Sequence, residues 1–582
     1  MNEKECTMRK TLIAVAVIAA GALAYYKFGS GTAASSTLAG FEYIPADTAL
    51  LSAQVKPIDL GSYLSSLGMG PQYYDENMQQ LFADMEAETT EAQFKFGLAL
   101  GQAYMKALAD PAAFSLNTGI KAQMRSLSYL VGLSPVMRVE LADEAAFWRI
   151  FDDAEKSSGF SHVAQQINSV QYRQYRFAHE ELSLDLLVSV QNGWATLAVT
   201  SEKFAKQHLA IMMQAEKPEH NLANTSVIPE MQKKYQLDQG AFGYLSFAQL
   251  SKFLTSKDGN SLAKDVEAAF GAQTNVALAD WRNPACDADV AAISASWPGI
   301  FIDNKFDQTN PAMLKAVGRI LIPTQNQETV KSLSALRGFL PGHAVSTDHV
   351  GMFSMAIGLD VAQLAPSLGK LWSGFTEPAY SCQPLAEMQS EMKQSNPLAA
   401  VAMAGMASGL QGLSVTINDA ELDMMSSNLK SADALMTISA ENARTFFEGL
   451  KAFYPPLANV ALPAAGEELD LASVAPEVAM LGIQPKLALS DSHLLLYVGP
   501  KATSQSAAVA KEGLSKNGLL SLSMDYGRFF KALEDSMKAT GAEVPADLQQ
   551  FAGSKMKMVV KMDVNQQGFI LHTDMEMAQA TK

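Results

Sequence analysis

The stretch Val188–Val199, VSVQNGWATLAV, sets an Asn192-Gly193 pair between two apolar arms. Asn-Gly accepts the positive φ of both central positions of a type I′ turn, whose twist matches the flanking strands, so this stretch predicts a β-hairpin. A second stretch, Leu487–Val498, reads LALSDSHLLLYV, with Asp491-Ser492 in place of Asn192-Gly193. Each is followed by a helix-like segment. A chain that uses one hairpin twice, 299 residues apart, is expected to repeat its surroundings as well.

The surroundings do recur in order. Asp59, a helix cap followed by Leu60, Tyr63, Leu64 and Leu67 at helical spacing, aligns with Asp360, followed by Val361, Leu364 and Leu368. Val139, Phe147, Trp148 and Phe151 align with Ile438, Phe446, Phe447 and Leu450 at the hairpins' own offset of 299. Later matches drift: Ser246 and Phe253 with Ser523 and Phe530 at 277, and Gly299 and Ile302 with Gly568 and Leu571 at 269. Loops that change length account for such drift. The expected fold class is α+β: two similar halves, each an antiparallel sheet with packed helices, after one N-terminal apolar anchor helix. The divisions are 1–29, signal anchor or signal peptide; 30–40, flexible tether; 41–309, first repeat; 310–337, connecting segment with an apolar helix-like stretch; 338–577, second repeat; and 578–582, tail. A period near 300 is too long for a solenoid or propeller unit and implies paired domains.

Residues 11–26 are uncharged and mostly apolar, preceded by Arg9 and Lys10 and followed by Lys27. Positive charge ahead of such a run keeps the N-terminus in the cytosol and exports the chain beyond it. Sixteen residues span roughly 24 Å as a helix, which fits a short single-pass inner-membrane anchor with the bulk of the chain in the periplasm. The small-x-small Ala22-Leu23-Ala24 is a cleavage alternative that would release a soluble periplasmic protein. Lys plus Arg number 44 against 60 Asp plus Glu, a net charge of −16, which opposes nucleic-acid binding. Tyr172-Arg173-Gln174-Tyr175-Arg176 is the nearest basic-aromatic cluster, and it fits a half-exposed strand. Of three cysteines, Cys6 precedes the apolar run, so Cys286 and Cys382 alone would meet an oxidising compartment, and one disulfide between them is expected.

Gly97 and Gly101 lie in an apolar helix pattern within 95–108, and Gly405 and Gly409 in another within 398–410, beside Met403 and Met406. Gly-x-x-x-Gly strips one helix face so that a backbone or a flat ligand can approach, and methionine adapts to varied apolar partners. Tight packing of a buried helix explains the same pattern; an apolar groove formed by these six residues is the functional alternative. An acidic amphipathic helix, 75–88 or 385–393, precedes each pattern.

No catalytic constellation is written in the chain. The histidines, at 162, 179, 208, 220, 343, 349, 493 and 572, form no helical metal pair, and no nucleophile elbow or phosphate loop occurs in a credible context. Asp287 and Asp289 lack the other acidic ligands of a calcium loop and fit a solvated strand entry. No metal and no cofactor are expected.

The opening Pro45-Ala46-Asp47-Thr48, followed at once by a strand and preceded by the apolar run, resembles a family of bacterial envelope proteins known only as a domain of unknown function. The second half departs from it, reading Pro341-Gly342-His343-Ala344. The resemblance implies an envelope location and brings no activity. The expected function is a non-catalytic cell-envelope protein that binds a lipid, peptide or protein partner on the periplasmic side. An envelope hydrolase with a site assembled only by the fold is the alternative.

Overall fold

The computed structural model describes residues 40–578 except 67–68, 179–182, 308–309, 311–312, 395–406, 424–427, 452–460, 465, 474–482, 540, 546–547 and 549–551. The N-terminal apolar run lies outside these residues. Among the described residues no helix is long and apolar enough to cross a membrane. The described chain divides into two compact units, one of residues 40–314 with 381–384, the other of 315–380 with 385–578. Both are mixed α and β, with antiparallel sheets.

The first unit carries β1 (Leu50–Asp59), β2 (Gln123–Val131), β3 (Ser134–Glu140), β4 (Val163–Ile167), β5 (Val170–Phe177), β6 (Leu184–Gln191), β7 (Trp194–Thr200), β8 (Ala241–Ser246) and β9 (Gly299–Asp307). Antiparallel pairing orders them β4-β5-β6-β7-β3-β2-β1-β8-β9. Its helices include α1 (Leu60–Ser66), α2 (Glu76–Glu88), α3 (Ala92–Leu108), α4 (Glu144–Ser158), α5 (Phe247–Thr255), α6 (Ser261–Ala277) and α7 (Pro284–Ser296). Several begin on side-chain caps that take up otherwise orphaned N–H groups: Asp75 accepts from Met78 and Asp143 from Ala146. The predicted hairpin joins β6 to β7, with φ of 51° at Asn192 and 74° at Gly193, as a type I′ turn requires.

The second unit carries β10 (Met313–Pro323), β11 (Phe353–Gly358), β12 (Leu410–Asp423), β13 (Asn428–Ala440), β14 (Glu468–Asp470), β15 (Lys486–Leu489), β16 (His493–Val498), β17 (Leu520–Asp525), β18 (Met556–Asn565) and β19 (Gly568–Ala578). Antiparallel pairing orders β11 to β19 as β14-β15-β16-β13-β12-β11-β17-β18-β19, and β10 pairs with β19. Its helices are α8 (Gln327–Ala335), α9 (Leu364–Thr376), α10 (Gln383–Gln394), α11 (Ala443–Lys451), α12 (Pro500–Val509) and α13 (Tyr526–Ala539). The second predicted hairpin joins β15 to β16, but neither Asp491 nor Ser492 has a positive φ. Ser490 N–H instead donates to the His493 carbonyl, closing a wider loop.

Four expectations are corrected. The apolar stretch of the connecting segment is strand β10, not helix; its branched Val317, Ile320 and Ile322 suit a sheet. Asp287 and Asp289 lie in α7, whose start is set by the Asn283 cap and Pro284 at its first position. Gly409 sits in a turn ahead of β12 with φ 90°, not in a helix. Gly299 opens the strand beside β8, whereas Gly568 opens β19, one strand further along its sheet, so those two glycines occupy different places in the strand order.

Cys286 of α7 is bonded to Cys382, and both are fully buried. Asp289, one turn on from Cys286, accepts from the backbone N–H groups of Ser381 and Cys382 at 2.7 and 2.8 Å. Residues 381–384 therefore belong to the first unit although the chain on either side belongs to the second. A crosslink spanning 96 residues removes loop-closure entropy from the unfolded chain worth about 4–5 kcal/mol. Cys286→Ser is expected to lower stability by about that much, and reductant should lower wild type but not the variant in urea titrations.

His493 is buried with both ring nitrogens bonded: Nε2 donates to the Glu512 carbonyl, so Nδ1 accepts from the Ser439 hydroxyl. Burial holds its pKa below the ordinary histidine value. The folded protein thus leaves this imidazole neutral where the unfolded chain protonates it, below about pH 6.5. Stability should fall as pH drops through that value, and His493→Gln should flatten the dependence in denaturation curves at pH 7 and 5.

Candidate functional site

A β-strand sends alternate side chains to opposite faces, so the cross-strand register decides what each face of a sheet offers. In the second unit one row of facing residues runs Leu489, Leu494, Ile438, Leu413, Ile357, Leu520, Met562 and Leu571 across eight strands. The next row on the same face reads Leu487, Leu496, Met436, Val415, Met355, Leu522, Val560 and Thr573. The opposite face of the central strands is small and polar: Ser414, Ala356 and Ser521 in one row, Thr416, Ser354 and Ser523 in the next.

Burial runs against this chemistry. Ser354, Ala356, Ser414, Thr416, Ser521 and Ser523 are almost fully buried, while Met355, Ile357, Leu413 and Met562 are 39, 38, 37 and 36% exposed. The buried polar face is partly satisfied: Ser354 and Thr416 hydroxyls bond at 2.8 Å, and His343 Nε2 lies 3.0 Å from Thr416 Oγ1. Among the described residues the hydroxyls of Ser414, Thr437 and Ser523 have no partner.

Helices bound the exposed strip on three sides. α11 covers one end through Phe447 on Leu487, Leu489 and Leu494. α13 brings Phe529 against Phe353, ring centroids 6.3 Å apart. α8 and α9 pack Leu333, Leu336, Leu364 and Leu371 with Leu359 and Val564. Between them lies an apolar floor about 14 Å across, three strand spacings from Leu413 to Met562. Phe375 of α9 and Met388 of α10 add further exposed apolar surface, and Gln389 Nε2 donates to the Phe375 carbonyl, holding those helices together.

The groove residues expected from sequence fall elsewhere. Gly97 and Gly101 are buried in α3, which packs against α4 near Phe96, Tyr175 and Phe151, stacked at 4.6 and 5.9 Å. This is the close packing of a helix on its own unit. Met403, Gly405 and Met406 lie outside the described residues, as does His179. Single-position motifs could not reveal the strip. It is visible in sequence only as the alternation of large and small residues in FSMAIG and LSLSMD, once the register is known.

Polar clusters occur in the first unit. Glu155 Oε1 accepts from Tyr175 Oη at 2.7 Å and lies 2.6 Å from His162 Nδ1, and burial pushes the Tyr175 phenol up. Fully buried Asp265 accepts from Leu133 N–H in the β2–β3 turn and lies 3.3 Å from His208. Among the described residues neither His162 nor His208 is hydrogen-bonded to a hydroxyl or thiol. No group of acidic, histidine or cysteine side chains among them could hold a metal ion.

Arg138 of β3 is 6% exposed, between the rings of Tyr43 and Trp194 at 5.5 and 5.0 Å, with Nε and Nη1 unpartnered among the described residues. Desolvation lowers its pKa, and beside it the Tyr129 phenol is pushed up to about 12.

No family of known proteins, no curated protein and no solved structure matches this chain. Burying the Arg138 guanidinium with two nitrogens unbonded carries a desolvation cost of several kcal/mol, and the nearby Glu42 carboxylate and two ring contacts offset it only in part, since burial remains the largest influence on its pKa. Arg138→Met, which keeps the side-chain length and drops the charge, is therefore expected to raise the urea midpoint by about 1 kcal/mol or more of stability.

Proposed function

We propose that this protein is a non-catalytic binder of apolar ligands, and that the exposed face of the second sheet is its binding floor. The observation that carries this reading is the inversion of burial at β11, β12 and β17, which leaves Met355, Ile357 and Leu413 open while serines are buried. A single exposed apolar side chain is ordinary, whereas a contiguous apolar strip beside a buried polar face points to an interaction site. The same face carries eight methionines, Met355, Met436, Met524, Met556, Met558, Met562, Met575 and Met577. Flexible, polarizable thioethers suit a surface that accepts chains of varied shape. Lipid acyl chains fit best, since each methylene withdrawn from water contributes about 0.8 kcal/mol and the strip offers no polar specificity. The N-terminal apolar run would hold the protein at the inner membrane, on the periplasmic side, near such ligands.

The reading includes an internal duplication, and pairing register supports it. Val139 faces Ala195 and Ile438 faces Leu494, each member 299 residues on from its counterpart. Leu187 facing Ala198 and Lys486 facing Tyr497 keep the same separation. So do the caps: Asp143 accepts from Ala146 N–H, and Asn442 from Thr445 N–H. In the first unit, however, the positions that would match the floor are Ser52, Gln54, Ser126, Ser128, Ala241 and Gly243, and the large residues Leu51, Leu127, Tyr129, Phe242 and Tyr244 lie on the other, buried face. One copy would be the scaffold and the other the binding half.

A photoreactive benzoylphenylalanine placed at 357 in the full chain, irradiated in cells, should give adducts of phospholipid mass. The same probe at 356, on the opposite face, should give none. No lipid adduct at 357 would sink the proposal, and a protein adduct there would replace lipid by a protein partner.

A further inference from the structure

Strand β4, Val163–Ile167, ends the first unit's sheet and is exposed along almost its whole length, with Val163 at 55%. Its other side pairs with β5 through a two-residue turn, Asn168-Ser169, with Ile167 facing Val170. In such a hairpin the residues flanking the turn exchange both backbone bonds and alternate residues do so along the ladder. Val163, Gln165 and Ile167 therefore bond to β5, and the N–H and C=O groups of Ala164 and Gln166 point outward. Among the described residues nothing pairs with those four groups.

Sheet edges are ordinarily guarded by charge, proline, a bulge or brevity. The far edge of the second unit follows that rule: β14 has three residues, two of them carboxylates, Glu468 and Asp470. The β4 edge has five residues, Val-Ala-Gln-Gln-Ile, with no charge, no proline and an unbroken register.

We infer that β4 is a self-association edge, pairing antiparallel with β4 of a second copy about a two-fold axis through Gln165. Outward groups at 164 and 166 require this register, because Ala164 then faces Gln166 of the other copy and each such pair exchanges two backbone bonds. Side chains agree with it. Val163 meets Ile167 of the other copy, apolar on apolar, and Gln165 meets Gln165, amide on amide, all on one face. An isologous contact of this kind closes at two copies and leaves no free edge to propagate. It contains no ion pair for salt to screen, and salt screens the mutual repulsion of two chains of net charge −16, so high salt does not weaken it.

Gln165 is a non-hydrogen-bonded position across the axis, with Cα atoms about 4.5 Å apart, inside disulfide range. In the full chain carrying Cys6→Ser, Gln165→Cys should crosslink to a covalent dimer on mild oxidation. Val163→Cys alone should not, because its mate is residue 167. Sedimentation of wild type should give twice the single-chain mass, and high salt should not lower it. Ala164→Pro should give the single-chain mass, since it deletes an outward N–H without touching the β4–β5 ladder. An intact Cys286–Cys382 disulfide and unchanged circular dichroism would certify that variant as folded. A wild type of single-chain mass at all concentrations, a dimer that survives Ala164→Pro, or equal crosslinking at 163 and 165 would each overturn the inference.

Discussion

Cross-strand register is the constraint on which this molecule rests. Each strand offers two faces, and one bond ladder fixes which residues stand side by side on each. At β11 the ladder to β12 and β17 gathers Ile357, Leu413 and Leu520 on one side and Ala356, Ser414 and Ser521 on the other. A slip of one residue would exchange those sets. The helices α11 and α13 dock where Leu494 and Phe353 meet them, so the boundary of the open strip follows from the same ladder.

The two sheets use alternation differently. In the first unit the large residues Leu51, Tyr129 and Tyr244 are buried on one face, and the small and polar residues of the other, Gln54, Ser126 and Ala241 among them, are buried as well. In the second unit the buried face is filled with small hydroxyl residues over which residues 339–345 pass closely. The Ser521 hydroxyl bonds the Ala344 carbonyl there, and Leu340, Ala344 and Ala356 form a small cluster. Short side chains allow that close approach. The unpartnered hydroxyls of Ser414, Thr437 and Ser523 cost on the order of 1–3 kcal/mol each, so the inversion is held against a local penalty.

Much of the fold is legible in the sequence. The places of both hairpins, the turn at Asn192-Gly193, the cap at Asp59, the strand at Tyr172–Arg176 and the Cys286–Cys382 bond follow from turn chemistry, capping and cysteine count, which act over a few residues or by elimination. Sequence reasoning fails where tertiary context decides. Met313–Pro323 is apolar enough to pass for a helix until β19 pairs with it. The Gly97 and Gly101 pattern marks helix packing against α4, and sequence alone does not separate that from a groove. The exposed strip is hidden for a related reason: a period-two pattern names two faces without saying which one the chain will cover.

Cys382 is reached only after residues 315–380, which belong to the second unit, yet its sulfur completes the first. For a chain synthesised from its N-terminus, the first unit cannot be locked covalently as soon as its own strands have emerged. It waits for a latecomer, and in that interval β1 to β9 must hold together on packing and backbone bonds alone. The order of maturation is thus interleaved, with neither unit finished strictly before the other begins.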